Sequence, residues 1–407
     1  MKGRYSERLF AELCNKHFLR GFTFHSPSYF DPTEKEAGDV VLWVRQQVII
    51  VEVLAREAAI GTSTKQFIKR IGEKRNQLKN DYSTFDDPYK NINLNNEDNE
   101  RVALNKEGIN RLFLSGIILV DCDDKIDQLN FNTVKHSLDL EYPTSIMTKQ
   151  DFTDLLEEVD TIPDLMLYLK DRFAFLKIIF HSNAKLFLNL NNRLERNLIS
   201  FYKMHNNSFP IGEWNQAEAL FCHRIYKKEY AQKIASRDQQ NDESFVIDEI
   251  IDLLRTNNTA NDSTLFHSWE LASMTRRQRA VVASKIENAI SNMEQGKPRR
   301  QFAFFNQATE CWLVFFFQFG GTSAGFRLQT EQLTRYKLCV ELQNRQFKYS
   351  VFGYGFRKSS IETGNTFDEI KLWIEDADKY SLASGEYTEA RRVFGKLQSQ
   401  SIQEFPD

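Results

Sequence analysis

Three carboxylates stand at spacings that can do metal chemistry: Glu7 in an amphipathic N-terminal segment, Asp39 directly after Gly38, and Glu52 inside the apolar run VIIVEVLA. A carboxylate is costly to bury without a partner or a metal, and the neighbours of Glu52 predict burial. Two acids converging from neighbouring strands suit Mg²⁺ or Mn²⁺, which take hard oxygen ligands and keep waters for substrate oxygens. Such an ion polarises a phosphodiester and lowers the pKa of a bound water, so the expected reaction is phosphodiester hydrolysis and the expected substrate a nucleic acid. Residues 56–80 add Arg56, Lys65, Lys69, Arg70, Lys74, Arg75 and Lys79 against two glutamates, a local cationic patch beside the acids.

Particular elements must position these groups. Residues 4–20 place Leu9, Phe10 and Leu13 on one helical face after a cap at Ser6. The stretch GDVVLWVRQQVIIVEVLAR then reads as a hairpin of two strands covered on both faces. With Gln46 and Gln47 as its turn, Arg45 faces Val48 and Val41 faces Glu52. Asp39 is then diagonal to Glu52 on the same face, at about 7–8 Å. A helix follows over 64–80 on the spacing of Phe67, Ile71 and Leu78, and the polar KNINLNNEDNE reads as a loop. RLFLSGIILV is a further buried strand; TKQDFTDLLEEV, capped by Thr148, and the segment after Pro163 are helices.

Beyond residue 176 the helical period dominates, in AEALFCHRIYKKEYAQKI and ESFVIDEIIDLLR, with a polar break at RTNNTANDS. From about residue 300, RQFAFFNQ, CWLVFFFQFG, RYKLCVELQ and KYSVFGYGFRKS read as strands and TFDEIKLWIEDADKY as a last helix. The expected fold class is α/β: a domain over 1–175 with a central mixed sheet flanked by helices, a helical region over 176–295, and an α+β domain over 296–407.

Glu7, Gly38-Asp39, the short hairpin, Glu52-Val53-Leu54 and the basic helix together resemble the PD-(D/E)xK nuclease superfamily, in its Mrr-like and Holliday-junction-resolvase-like branches. The resemblance covers residues 1–175. It implies a restriction-endonuclease-like fold, DNA (or RNA) as substrate, Mg²⁺ or Mn²⁺ as cofactor, and a role in microbial genome defence or repair. It also implies Glu7, Asp39 and Glu52 as metal ligands and a lysine two residues after the glutamate that steadies the attacking water. Position 54 is leucine. Arg56 on the same strand face, or Lys65 or Lys69 reaching in from the next helix, stand as substitutes, and Gln77 resembles a glutamine that certain branches add near the site. Lys65, Lys69, Arg70, Lys74 and Arg75 are the expected nucleic-acid contacts. The alternative is a nuclease fold whose catalysis has lapsed, acting as a DNA-binding or assembly module.

Composition bounds the rest. The chain has 407 residues, enough for two to three domains, and 53 Lys plus Arg against 56 Asp plus Glu, so no overall cationic field draws it to nucleic acid. Five scattered cysteines without a CxxC pair fit a reducing cytoplasm and no thiolate zinc site. No run approaches the ~18 apolar residues of a membrane helix and no leader precedes the first helix, so a soluble, unprocessed chain is expected. The 33 phenylalanines predict large aromatic cores, with the C-terminal part selecting substrate or building a homo-oligomer. Arg276, Arg277 and Arg279, with Lys297, Arg299 and Arg300, read as an exposed helix end or a second phosphate grip.

Overall fold

The computed structural model describes residues 3–17, 20–31, 33–55, 63–95, 101–104, 112–121, 137–182, 194–205, 207–210, 231–256, 262–294, 299–344, 350–358, 367–377 and 393. They form two compact units, 1–237 with 404–407, and 238–403. The sequence pattern places breaks near residues 175 and 295; the units of the structure meet in sequence at 237–238. Both are mixed α/β. Among the described residues no helix is long and apolar enough to cross a membrane.

The first unit runs α1 (Gly3–His17), β1 (Thr23–Asp31), β2 (Thr33–Glu36), β3 (Val40–Val44), β4 (Gln47–Leu54), α2 (Thr64–Asp86), β5 (Ile92–Asn95), β6 (Arg101–Leu104), β7 (Phe113–Val120), β8 (Thr144–Thr148), α3 (Lys149–Glu158), α4 (Ile162–Ser182) and α5 (Leu194–Met204). Its sheet has the order β6-β5-β1-β3-β4-β7-β8, with β2 beside β1. The β4–β7 and β7–β8 pairs are parallel and the others antiparallel. Near-continuous burial of β3, β4 and β7 follows from helices on both faces. On one face Tyr82 of α2 lies over Gly116, where a side chain's first carbon would come within 2.1 Å of the tyrosine oxygen. On the other, Ser115 donates to Met166 Sδ of α4 at 3.1 Å. Thr148 and Asp151 form the capping box that starts α3, as the TKQD spacing predicts.

Two features differ from the sequence pattern in this unit. The hairpin turn is Arg45-Gln46, so Val44 pairs with Gln47 and Val40 with Val51. Arg45 takes a left-handed φ of 53° and its carbonyl accepts from Trp43 Nε1 at 2.6 Å, which supports a turn without glycine. The register therefore moves by two residues, which preserves the strand face of every side chain. The stretch expected to be a loop begins with β5, because Ile92 and Leu94 alternate with Asn93 and bury their side chains. The segment 217–234 lies mostly outside the described residues.

The second unit contains α6 (Ala231–Thr256, entering from the first), α7 (Asp262–Ala272), α8 (Arg276–Glu294), β9 (Arg299–Asn306), β10 (Cys311–Phe319), α9 (Ser323–Asn344), β11 (Ser350–Lys358) and β12 (Glu369–Asp376). Its sheet order is β12-β11-β10-β9, with β10 and β11 parallel and α9 as their crossover. Two expectations are corrected here. RYKLCVELQ is part of helix α9, supported by i,i+4 pairs Glu331–Arg335 and Lys337–Glu341. EIKLWIED is strand β12, in which Ile370, Leu372 and Ile374 alternate with polar or amphipathic neighbours at period two. The GYG of β11 serves packing: a first side-chain carbon at Gly353 would lie 2.0 Å from Thr334 Oγ1, and at Gly355 2.3 Å from Thr330 Oγ1. Across the opposite face, Phe302, Phe315 and Tyr354 stack at centroid separations of 4.8 and 5.0 Å. Arg276 and Arg279 are buried and share Asp248, so that part of the basic cluster is neither an exposed helix end nor a phosphate grip.

Candidate active site

Strand β4 supplies the most demanding side chain. Glu52 has no exposed surface, and it pairs in register with Ile118 of β7 on the face that α2 covers. Asp39 stands immediately before β3. Its amide donates to Val51 O at 3.2 Å, and its Oδ2 accepts the Val53 amide at 2.6 Å, so backbone bonds fix the carboxylate beside Glu52. Gly38 makes this close approach possible: its φ is 95°, and a side chain there would press 2.8 Å from Ile50 and reach Glu52 Oε1 at 4.0 Å.

The third element is α2, started by a reciprocal Ser63–Gln66 capping box. Its buried stripe reads Phe67, Ile71, Leu78, Tyr82 and Phe85, and two charged residues, Lys74 and Asp81, occupy positions in it. Lys74 Nζ donates to Asp39 Oδ2 at 2.9 Å and to Glu52 Oε2 at 2.7 Å, one ammonium bridging both acids. Asp81 is 6% exposed, and neither its Oδ2 nor Glu52 Oε1 meets a donor.

Three carboxyl groups around one ammonium leave excess negative charge in a largely dry space. Burial first and the charge of Asp39 second push Glu52 up, Lys74 opposes both, and together they leave it at about 9. Burial likewise raises Asp81 to about 6, with Asp39 and Glu36 adding to the shift and a hydrogen bond with Glu52 opposing it. Burial works against the charge of Lys74, but Glu52 and Asp39 overcome it and hold the ammonium up at about 12. This excess of negative charge in a buried place favours the protonated form of Glu52. Two hard-oxygen carboxylates with donor-free oxygens match a Mg²⁺ or Mn²⁺ site that takes its remaining ligands from water and substrate. Among the described residues no group of three or more His, Cys, Asp or Glu side chains is arranged so that it could hold a metal ion by itself.

The other sequence candidates divide as follows. Glu7 is half-buried on α1, next to Ser6, whose hydroxyl donates to Asp121 Oδ2 at 2.7 Å; Asp121 in turn bonds Leu54 O through its amide. The carboxylates acting on Glu52 are Asp39 and Asp81. Lys65 is exposed, roughly 13 Å along the helix axis from Lys74. Lys69 is exposed and reaches Glu73 at 3.7 Å. It is thus Lys74, not Lys65 or Lys69, that meets the acids. Arg56 lies outside the described residues. Arg70 is exposed, Arg75 half-buried and Gln77 exposed.

Asp81 was not among the sequence candidates, and Lys74 was read only as a phosphate contact. Their signal is positional: on the period set by Phe67, Ile71, Leu78 and Phe85, residues 74 and 81 face the sheet, and a charged residue there requires partners. No family model, curated protein or solved structure matches this chain.

Proposed function

We propose that the first unit is a divalent-metal-dependent nuclease of the PD-(D/E)xK type, hydrolysing phosphodiester bonds of DNA. The observation that carries this reading is the Lys74 ammonium bridging Asp39 and Glu52 while Glu52 Oε1 and Asp81 Oδ2 lack donors. Lys74 supplies from α2 the lysine that position 54 lacks, on the same sheet face that Leu54 and Glu52 share. Glu52 and Asp81, whose free oxygens lack donors, would hold Mg²⁺ or Mn²⁺ together with Asp39, and Glu7 is the family-implied further ligand. A bound ion of this kind supplies Lewis-acid polarisation of the phosphodiester and a water of lowered pKa.

The chain's own groups do the rest. Lys74, held protonated, orients both carboxylates and donates to negative charge developing on the phosphoryl oxygens. The exposed Lys65, Lys69, Arg70 and Lys79 of α2 meet the phosphate backbone beside the acids.

The test is nicking of supercoiled plasmid, with a single-stranded RNA substrate run in parallel, in Mg²⁺ or Mn²⁺. Asp39→Asn, Glu52→Gln and Lys74→Met should each lower cleavage by about 100-fold or more. Cleavage surviving both carboxylate substitutions rejects the reading. Tight DNA binding without cleavage in either metal would assign the unit instead to a catalytically lapsed binding module.

A further inference from the structure

The carboxylate oxygens around Lys74 are not equivalent. Asp39 Oδ2 is engaged twice, accepting from Lys74 Nζ at 2.9 Å and from the Val53 amide at 2.6 Å. Glu52 Oε2 accepts from the same ammonium at 2.7 Å. Glu52 Oε1 and Asp81 Oδ2 have no donor, although the two residues are only 0% and 6% exposed.

The two open oxygens belong to one place. The Glu52 and Asp81 carboxyl groups stand within hydrogen-bonding reach of each other. Like charges that converge out of water need a proton or a cation between them. Adjacent ligands of an octahedral Mg²⁺ at about 2.1 Å stand about 3 Å apart, close to the separation of hydrogen-bonded oxygens, so the pair can take an ion without moving apart. Gly38 leaves room beside Glu52, since a first side-chain carbon there would stand 4.0 Å from Oε1. Glu36, exposed at the end of β2, adds its charge to Asp81 and draws cations toward it from solvent. Asp81 lies two turns beyond Lys74 on α2, so one helix brings both the ammonium and the open acid to the same glutamate.

We propose that the two acids beside Glu52 have separate tasks: Asp81 sets the affinity for the divalent ion, whereas Asp39 chiefly positions the Lys74 ammonium. This rests on the metal reading of the site given above, and it departs from the resemblance, which counts Asp39 and not Asp81 among the ligands. A carboxylate oxygen already neutralised by an ammonium and a backbone amide attracts a second cation weakly, while an oxygen without a donor gives up no bond to take one. Glu52 then serves both cations, Lys74 through Oε2 and the ion through Oε1.

The test is titration of the full chain with Mn²⁺ in the absence of nucleic acid, read by the electron paramagnetic resonance of free Mn²⁺, together with thermal unfolding in EDTA and in Mn²⁺. Asp81→Asn keeps the shape of the side chain and removes one of two converging charges, so in EDTA it should unfold no lower than wild type. It should weaken Mn²⁺ binding by about tenfold or more and remove most of the rise in Tm that Mn²⁺ gives wild type. Glu52→Gln should lose the same binding. Asp39→Asn keeps an oxygen for the Val53 amide and should bind Mn²⁺ within about threefold of wild type, while its cleavage falls. The proposal is overturned if wild type binds no Mn²⁺ at millimolar concentration, or if Asp81→Asn or Glu52→Gln binds as wild type; a shared proton alone then joins Glu52 to Asp81. Equal losses in Asp81→Asn and Asp39→Asn also overturn it, because both acids then hold the ion. Plasmid nicking by a protein whose Asp81→Asn variant binds Mn²⁺ as wild type rejects this division and keeps the nuclease reading. The expected split in affinity without cleavage of DNA or RNA keeps the division and rejects the nuclease.

Discussion

Strands β4 and β10 are built alike and filled differently. Each is central in a mixed sheet, pairs in parallel with its neighbour, and has a helix packed on one face above glycines of that neighbour. Over β11 the helix places Thr330 and Thr334, whose hydroxyls donate to Phe326 O and Thr330 O one turn back. Those polar groups are satisfied within their own helix and ask nothing of the sheet. Over β4 the corresponding stripe carries Lys74 and Asp81, whose partners lie on the sheet and whose needs are only partly met. Buried polarity closed within one element marks architecture. Buried charge left open across two elements marks a place where a ligand is expected.

This contrast can be broken at several points. The largest effect is expected at Lys74. Lys74→Met leaves Asp39 and Glu52 without their cation and should cost about 3–5 kcal/mol in urea unfolding, besides its effect on cleavage. Adding Asp39→Asn should restore part of that stability but none of the activity; a double mutant no more stable than Lys74→Met would show that the ammonium acts chiefly through packing. Phe315→Ala in the second unit should cost a similar ~3–5 kcal/mol by opening the aromatic stack, yet leave plasmid nicking per folded molecule unchanged. Gly353→Ala forces a methyl against Thr334 and should cost about 1–3 kcal/mol, largely recovered by Thr334→Ala, measured as a double-mutant cycle.

The smallest effect is a pH slope. Glu52 ionises near its ordinary value when unfolded and near 9 when folded, so between these the native state binds the extra proton and stability falls as pH rises. In EDTA the loss should approach at most about 1.4 kcal/mol per pH unit between pH 6 and 8.5, and Glu52→Gln should flatten it. Saturating Mg²⁺ should also shrink the slope, because a cation takes the place of the proton; an identical slope with and without metal would argue against a cation at Glu52.

Much of the first unit was legible because its signals are local. Apolar continuity marked β3, β4 and β7, Thr148 marked a cap, and a glutamate among valines and isoleucines marked a buried acid that needs a partner. The hairpin register was legible only as to face, since Gln-Gln carries no turn preference and Arg45 adopts a conformation that side chains of its kind seldom take. Lys74 as the bridging cation was hidden because its role follows from how α2 docks on the sheet, a tertiary fact that spacing in β4 does not encode. Segments 335–343 and 369–376 were exchanged between helix and strand for one reason. Short apolar runs are ambiguous, and period two in EIKLWIED outweighs its charged flanks only once β11 is beside it.

Because the ammonium arrives on a helix seated through Tyr82 above Gly116, its reach toward the two acids is set by contacts well removed from any substrate. A slide of that helix by a fraction of an ångström would lengthen both charge contacts together. Residues such as Leu78, Tyr82 and Thr144, the last bonded to the Tyr82 hydroxyl at 2.8 Å, thus set the spacing of the ammonium from both acids, and in the proposed nuclease they would trim its reactivity while every reacting group stays the same.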